Sequence, residues 1–122
     1  MATKPNLSLG QQGELVARQF LEAAGYKILG VNIKLGNLEI DLIASHQGWL
    51  YFFEVKTKST FEAINNNSLI SKKQLTNLKK AAHIYAAAHK LNWNKISFDL
   101  LAIEINKERK IANLKRYRDI FS

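Results

Sequence analysis

The chain has 122 residues, of which 47% are hydrophobic and 23% charged, with one proline and no cysteine. This composition is typical of one ordered globular domain, and it excludes disulfide frameworks and thiolate zinc sites. No apolar run reaches the length of a membrane span and no secretory leader is recognisable, so we expect a soluble cytoplasmic protein. The net charge of +8 attracts polyanions such as nucleic acid, although a lysine-rich solvated surface would carry the same charge.

The first predicted element is a helix over residues 9–24. Ser8 and Gln11 are spaced as a capping box, and Gly25 marks the end of the helix. Three strands are expected after it, because runs rich in β-branched and aromatic residues alternate with turn residues. Their ranges are 26–34, 38–45 and 49–58. The turn at 46–48 joins the last two, and the three consecutive strands are predicted to be antiparallel.

The second half of the chain begins with a polar segment, 59–70, that has neither helical nor strand periodicity and is predicted to be a mobile loop. A second helix is expected from its cap Ser71, with Gln74 at the N3 position, to about His89. One face of this helix is apolar and the opposite face is basic. The apolar face holds Leu75, Leu78, Ala82, Tyr85 and Ala86, and the basic face holds Lys72, Lys73, Lys79, Lys80 and His83.

An apolar strand at 95–105 and a further strand after the turn at 107–110 complete the order αβββαββ. This order predicts an α/β fold in which helices flank a mixed central sheet. We expect a single domain over 1–122, with a core at about 8–105 and a C-terminal extension at 106–122.

Charged residues lie inside two of the predicted strands, where a core strand is normally apolar. Glu39 and Asp41 point to one face of their strand, and Glu54, Lys56 and Lys58 share a face of the next, because side chains alternate along a strand. In a hairpin about the 46–48 turn, residues whose numbers sum to about 95 are opposite. Asp41 is therefore predicted to lie directly across from Glu54.

Adjacent carboxylates repel by about 1 kcal/mol in water and about 4 kcal/mol at an effective dielectric of 20. A divalent cation removes this repulsion, and carboxylate oxygens suit Mg²⁺ or Mn²⁺. Lys56, two residues beyond Glu54, would then lie beside the water that attacks a phosphate. A Glu-x-Lys pair alone is usually structural, so the functional interpretation depends on the combination with Asp41, the basic charge and Glu14 on the first helix.

These residues resemble a known family. The "EID" at 39–41 followed by Glu54-Val55-Lys56 looks like the D-x(n)-E-x-K core of the PD-(D/E)XK nuclease superfamily, whose fold is the restriction-endonuclease-like αβββαβ core. More closely, "GELVARQFLEAAGYKIL", "LEIDLIA", "FFEVKTK" and "KKQL" taken in order are similar to the YraN family of predicted endonucleases, which resemble archaeal Holliday junction resolvases. The resemblance covers about residues 10–105.

The resemblance implies roles for individual residues. Asp41 and Glu54 would be the metal ligands, the Val55 carbonyl would complete the protein side, and Lys56 would be the catalytic lysine. Glu14 matches a helix-one glutamate that helps to bind metal or orient water, although it could equally be a solvated helix residue.

Some matches have structural explanations, and three positions depart from the pattern. Glu39 matches the acid of the family's GEID motif but could only form a salt bridge, and Lys73 and Gln74 match a helix-two pair although a capping box also explains Gln74. The departures are Leu38 in place of glycine, Ile40 in place of proline and Lys58 in place of arginine. Of these, the change at Leu38 affects the turn before the strand.

The resemblance implies a Mg²⁺-dependent DNA endonuclease, with Mn²⁺ as an alternative metal, selective for branched DNA such as Holliday junctions and acting as a homodimer. The residues expected to hold the DNA backbone are Lys58, Lys72, Lys73, Lys79 and Lys80. The alternatives are a nucleic-acid-binding module without catalysis and a basic protein-interaction subunit whose acids are structural. Trp93, Tyr117 and Phe121 could stack on bases or belong to the core.

Overall fold

The computed structural model describes residues 6–59 and 70–121, which form two α-helices, five β-strands and a short 3-10 helix. Their bounds in chain order are α1 Leu9–Ala23, β1 Lys27–Leu35, β2 Leu38–His46, β3 Trp49–Lys58, α2 Lys72–Ala88, the 3-10 helix Trp93–Lys95, β4 Ile96–Asn106 and β5 Ile111–Tyr117. The predicted order αβββαββ is confirmed, with element bounds that differ from the prediction by one or two residues. The predicted mobile loop lies almost entirely at 60–69, outside the described residues.

The five strands form one sheet in the order β1-β2-β3-β4-β5. β3 and β4 run parallel, whereas every other neighbouring pair is antiparallel. Two adjacent parallel strands need a crossover connection, and α2 lies in the segment that connects these two. The predicted mixed sheet and the α/β class are therefore confirmed, and the arrangement is consistent with a restriction-endonuclease-like core.

Each face of the sheet is covered by one helix. Residues buried between α1 and the sheet include Ala17, Leu21, Leu42, Phe53 and Leu101. Residues buried between α2 and the sheet include Ile40, Ile43, Phe52, Leu78 and Ala82. Full burial of a Leu or Phe side chain contributes about 1.5–3 kcal/mol, so these two layers supply the main driving force for the fold.

Both predicted capping boxes are present. The Ser8 hydroxyl accepts a hydrogen bond from the Gln11 N–H at 3.1 Å, and the Ser8 N–H donates to the Gln11 side chain at 2.9 Å. Ser71 and Gln74 make the same two bonds at 3.1 and 3.0 Å. Each cap stabilises its helix by about 1 kcal/mol, and it fixes where α1 and α2 begin relative to the sheet.

A fully buried acid, Asp99 in β4, holds the C-terminal part of the chain on the sheet. Its carboxylate accepts hydrogen bonds from Arg116 Nη2 at 2.7 Å, Ser97 Oγ at 2.7 Å and the Asp119 N–H at 3.0 Å. The Arg116 guanidinium also donates to the Tyr26 hydroxyl at 2.8 Å. This network, which the sequence analysis did not foresee, ties β5 to β4 and to Tyr26, the residue directly before β1.

No helix within residues 6–59 and 70–121 is long and apolar enough to cross a membrane.

Candidate functional site

The β2–β3 hairpin brings Asp41 and Glu54 together. The paired residues run from His46↔Trp49 to Leu42↔Phe53, which is the register that the 46–48 turn predicts. The backbone ladder ends at that last pair, one step before Asp41. The Asp41 Oδ2 atom instead accepts a hydrogen bond from the Val55 N–H at 2.8 Å. The Asp41 side chain thus accepts the hydrogen bond of a β3 N–H at the point where the β2–β3 ladder ends. This bond fixes Asp41 beside Glu54.

An irregularity in the sheet coincides with Asp41. Ile40 and Ile43 both pack in the layer under α2, whereas Leu42 packs under α1, so strict alternation is broken between residues 40 and 42. Across from Asp41 on β1, Asn32 has a left-handed backbone with φ of 49°. A positive φ is uncommon outside glycine, although asparagine adopts it more readily than most residues. The distortion lies where Asp41 leaves the regular ladder.

Glu54 and Lys56 form a partly buried ion pair on one face of β3. The Lys56 ammonium Nζ lies 3.7 Å from the Glu54 carboxylate, and the two side chains are 27% and 17% exposed, respectively. Phe52, which alternation places on the same strand face, is fully buried in the layer under α2. Glu54 and Lys56 therefore lie at the edge of the core, and both charged groups remain partly accessible to solvent.

Burial and mutual repulsion perturb the titration of the two acids. The pKa of Glu54 is raised to about 7, first by burial and then by the charge of Asp41, while Lys56 acts in the opposite direction. The pKa of Asp41 is also raised, mainly by burial, although the Val55 N–H stabilises its charged form. The charged forms of both acids are therefore disfavoured, and Asp41 repels the ionised form of Glu54. At neutral pH the pair is poorly compensated without a further cation.

Glu14 reaches the same region from α1. Its carboxylate accepts a hydrogen bond from the Asn32 side-chain amide at 3.0 Å, and its negative charge contributes to raising the pKa of Asp41. The neighbouring Gly13 lets α1 approach β3 very closely, because a Cβ atom at this position would lie 1.7 Å from Thr57 Oγ1. Gly13 and Asn32 were missed by the sequence analysis, although a glycine inside a helix, which costs about 1 kcal/mol, is a recognisable signal.

The acidic groups at this site suit a hard divalent cation with few protein ligands. Among the residues that the structure describes, no group of three or more His, Cys, Asp or Glu side chains is placed to share one metal ion. Asp41 and Glu54 interact directly, because the charge of Asp41 raises the pKa of Glu54. Mg²⁺ typically takes one or two carboxylates and keeps several waters, so these two residues are the ones that would hold such an ion.

Of the remaining predicted residues, Glu39 is near enough for its charge to raise the pKa of Asp41. Glu39 is exposed and pairs across the strands with Lys34, and Lys58 is exposed at the end of β3. The Gln74 side chain is used by the capping box. Four exposed lysines are on α2: Lys72, Lys73, Lys79 and Lys80. The structure thus groups Glu14, Asp41, Glu54 and Lys56 at one site and places the α2 lysines on a separate helix.

Comparison with known proteins identifies relatives over most of the chain. The model of "Uncharacterised protein family UPF0102" matches residues 13–103. A UPF0102 protein of Dictyoglomus thermophilum is 33% identical over 108 residues, which cover 88% of this chain and 92% of the relative. Relatives from Flavobacterium psychrophilum and Christiangramia forsetii are 33% and 36% identical, covering 93% and 81% of this chain and 92% and 82% of their own lengths. The chain therefore belongs to the UPF0102 family, which is the YraN family that its motifs resemble.

Proposed function

We propose that this protein is a metal-dependent DNA endonuclease that hydrolyses phosphodiester bonds in the cytoplasm. The observation that carries the proposal is the pair of carboxyl groups, Asp41 and Glu54, fixed at the end of a hairpin with the Lys56 ammonium 3.7 Å from Glu54. Burial and repulsion disfavour the charged form of both acids. A structural role alone gives no reason to retain two repelling carboxyl groups there, whereas a cation site does.

Asp41 and Glu54, with the main-chain carbonyl of Val55, would hold Mg²⁺ or Mn²⁺. When bound, such an ion stabilises negative charge on a phosphate oxygen and lowers the pKa of a coordinated water. The Val55 N–H holds the Asp41 carboxylate in place through its 2.8 Å hydrogen bond, so this ligand needs little reorganisation when an ion arrives.

Lys56 supplies the positive charge that the protein itself brings to the reaction. Its ammonium is oriented by Glu54 and is only 27% exposed, so its interaction with a phosphate oxygen or an attacking water is less screened than that of a surface lysine. Glu14, held by Asn32 at 3.0 Å, would accept a hydrogen bond from a water molecule near Asp41. We therefore assign Lys56 to charge stabilisation and Glu14 to positioning.

DNA binding is assigned to the exposed lysines. A net charge of +8 attracts the phosphate backbone, and each lysine–phosphate contact releases counterions and contributes to salt-dependent affinity. The residues proposed for this role are Lys58, Lys72, Lys73, Lys79 and Lys80. The homodimer and the preference for branched DNA that the family resemblance implies stay predictions, which sedimentation velocity and substrate competition would measure.

The test is nicking of labelled duplex, single-stranded, flapped and four-way DNA with Mg²⁺ or Mn²⁺. Asp41→Asn is the matched control, because asparagine keeps an oxygen that accepts the Val55 N–H bond but removes the charge needed by a metal. We expect cleavage by the wild type and at least a hundredfold loss in the variant, on the order of the effects of removing a group that acts in the transition state. Equal cleavage by both proteins would identify a contaminating nuclease. Tight DNA binding without cleavage under every metal condition would favour a binding module on the same fold.

A further inference from the structure

A second feature, separate from the carboxylate site, is an open groove of about 480 Å³ between α2 and the end of the chain. Its polar lining comes largely from one stripe of α2, and Phe121 forms the opposite wall. The residues that line it are Lys72, Leu75, Thr76, Lys79, Lys80, His83 and Phe121. Among the described residues that line the groove, none is acidic. The groove is therefore an open, mainly apolar surface that is flanked by lysine side chains and has Phe121 as an aromatic wall.

At one end of this groove the His83 ring stacks on the ring of Trp93, with centroids 3.7 Å apart and planes inclined by 13°. Trp93 is 36% exposed although it is one of the largest apolar side chains in the protein. Behind it lies the buried ring of Phe98, with centroids 6.0 Å apart. Phe121 packs edge-on against the same Phe98 ring at 4.5 Å. The core thus holds two surface aromatic groups in fixed orientations.

Cations flank these rings. The Lys79 ammonium lies 5.8 Å from the centre of the Phe121 ring, and Lys80 lines the same groove as His83. A positively charged groove with aromatic side chains is the arrangement on which proteins bind single-stranded nucleic acid, since phosphates contact the lysines while bases stack on the rings. A paired base is already stacked within its helix, so this arrangement favours unpaired nucleotides over duplex DNA.

The position of α2 connects this groove to the carboxylate site. Because β3 and β4 are parallel, α2 must return the chain from the end of β3 to the start of β4. Its first residue, Lys72, therefore lies toward the end of the sheet that carries Glu54 and Lys56. His83 lies eleven residues along α2, about 16 Å farther away at 1.5 Å per residue. A nucleic-acid strand bound along the groove would thus lead away from the carboxylate site.

We propose that the groove between α2 and Phe121 binds unpaired nucleotides of single-stranded DNA, with a base stacked on the His83–Trp93 pair and phosphates held by Lys79 and Lys80. This inference rests on the proposed function. Its consequence is that the DNA which this protein cuts carries a single-stranded segment next to the scissile bond. Flaps, splayed ends and the mobile centres of branched DNA belong to this class, whereas continuous duplex does not.

Trp93 is itself the probe for the first experiment. The chain has two tryptophans, and Trp49→Phe leaves Trp93 as the single one. In EDTA, a thymidine oligonucleotide should quench Trp93 fluorescence, whereas an abasic strand of the same length and charge should bind more weakly with little quenching. From the usual strength of base–aromatic stacking, we expect an affinity difference of roughly tenfold or more. Equal affinity and equal quenching for both strands would refute the stacking site.

Variants separate stacking from charge. His83→Ala and Trp93→Ala should weaken binding of the thymidine strand and leave binding of the abasic strand unchanged. His83 is exposed on α2, where alanine favours the helix, so this variant tests the proposal even if Trp93→Ala fails to fold. Trp49→Ala is the matched control, because Trp49 is 42% exposed and lies on a different part of the surface, beside Gly25 and His46, whereas Trp93 stacks on His83 of the groove. An equal loss in Trp49→Ala would overturn the assignment.

Two further ligands test the identity of the occupant. Tighter binding of the corresponding RNA strand would overturn the assignment to DNA, and equal quenching by a polyglutamate peptide would show that charge alone determines binding. The measurements need no cleavage, so the result is independent of catalysis. Nicking of duplex DNA without Trp93 quenching would refute the proposed binding of single-stranded DNA in the groove and leave the endonuclease proposal intact. Quenching without cleavage would support binding in the groove and contradict the endonuclease proposal.

Discussion

The raised pKa of Glu54 makes a quantitative prediction for the stability of the metal-free protein. Replacing Glu54 with glutamine removes a carboxyl group that is protonated in the folded protein up to about pH 7, while in the unfolded chain it ionises near 4.5. Below pH 4.5 the group is protonated in both states, and its contribution to the free energy of unfolding is constant. As pH rises from 4.5 to about 7, the unfolded chain loses this proton first, so the wild type loses stability relative to the variant.

The size of this loss follows from the same two values. The difference between 4.5 and about 7 corresponds to about 3 kcal/mol, at about 1.4 kcal/mol for each pH unit. The Glu54 side chain is 17% exposed, so solvent screening reduces this figure only in part. For a domain of this size, 3 kcal/mol is a substantial fraction of the total stability. Titrating groups that do not interact with Glu54 are unchanged in the variant, so they cancel in the difference.

The assay is urea unfolding in EDTA at pH 4.5, 6 and 8 for the wild type and Glu54→Gln. We expect the free energy of unfolding of the wild type to fall by about 3 kcal/mol relative to the variant between the first and the last pH. Glu22→Gln is the matched control, since the Glu22 side chain is 56% exposed and should give a curve parallel to the wild type. Parallel curves for wild type and Glu54→Gln would refute the claim that burial and Asp41 hold Glu54 in its protonated form.

Four further results are expected. Millimolar Mg²⁺ or Mn²⁺ at pH 8 should raise the melting temperature of the wild type by several degrees and that of Glu54→Gln by much less, by differential scanning fluorimetry; an equal rise would indicate nonspecific ions. Lys56→Ala should reduce cleavage at least a hundredfold in single-turnover assays while changing DNA affinity less than tenfold; a parallel loss of affinity would make Lys56 an anchor. Joint replacement of the basic residues Lys72, Lys73, Lys79 and Lys80 by alanine should flatten the slope of log affinity against log salt, and an unchanged slope would remove α2 from the DNA interface. Asp99→Ala should lower the free energy of unfolding by about 3–5 kcal/mol in urea titrations, because Arg116 would be left buried without its partner; a change below about 1 kcal/mol would contradict this network.

The secondary structure and most of the sheet could be predicted because their determinants are local. Capping boxes begin both helices, and amphipathic periodicity continues them. The short 46–48 turn sets the register of β2 against β3, so the approach of Asp41 to Glu54 followed from counting residues across the hairpin. These features depend on residues that are close together in the chain.

The contacts that complete the site, and those that hold the C-terminal part on the sheet, are not local, which explains why they were missed. The β2–β3 ladder stops before Asp41, whose carboxylate binds the Val55 N–H, and the left-handed backbone at Asn32 lies opposite on β1; local sequence patterns indicate none of these features. The packing of Gly13 against Thr57 depends on how α1 lies on the sheet. The Asp99–Arg116 pair joins residues seventeen apart in sequence. From the sequence, Asp99 is one acid in an apolar strand and gives no indication of its partner.

Two buried acids of the sheet, Asp99 and Glu54, differ in how well their charges are compensated, and this difference bears on the function of the site. Asp99 is almost fully buried, yet Arg116 lies 2.7 Å away and further donors bond its oxygens. Glu54 is also largely buried, but its ion pair with Lys56 is longer, at 3.7 Å, and its neighbour Asp41 repels it. A fold that compensates one buried carboxylate with an arginine and main-chain donors is able to compensate another. Leaving Glu54 and Asp41 undercompensated reduces stability at neutral pH, and a bound divalent cation is the ligand that would reverse this cost.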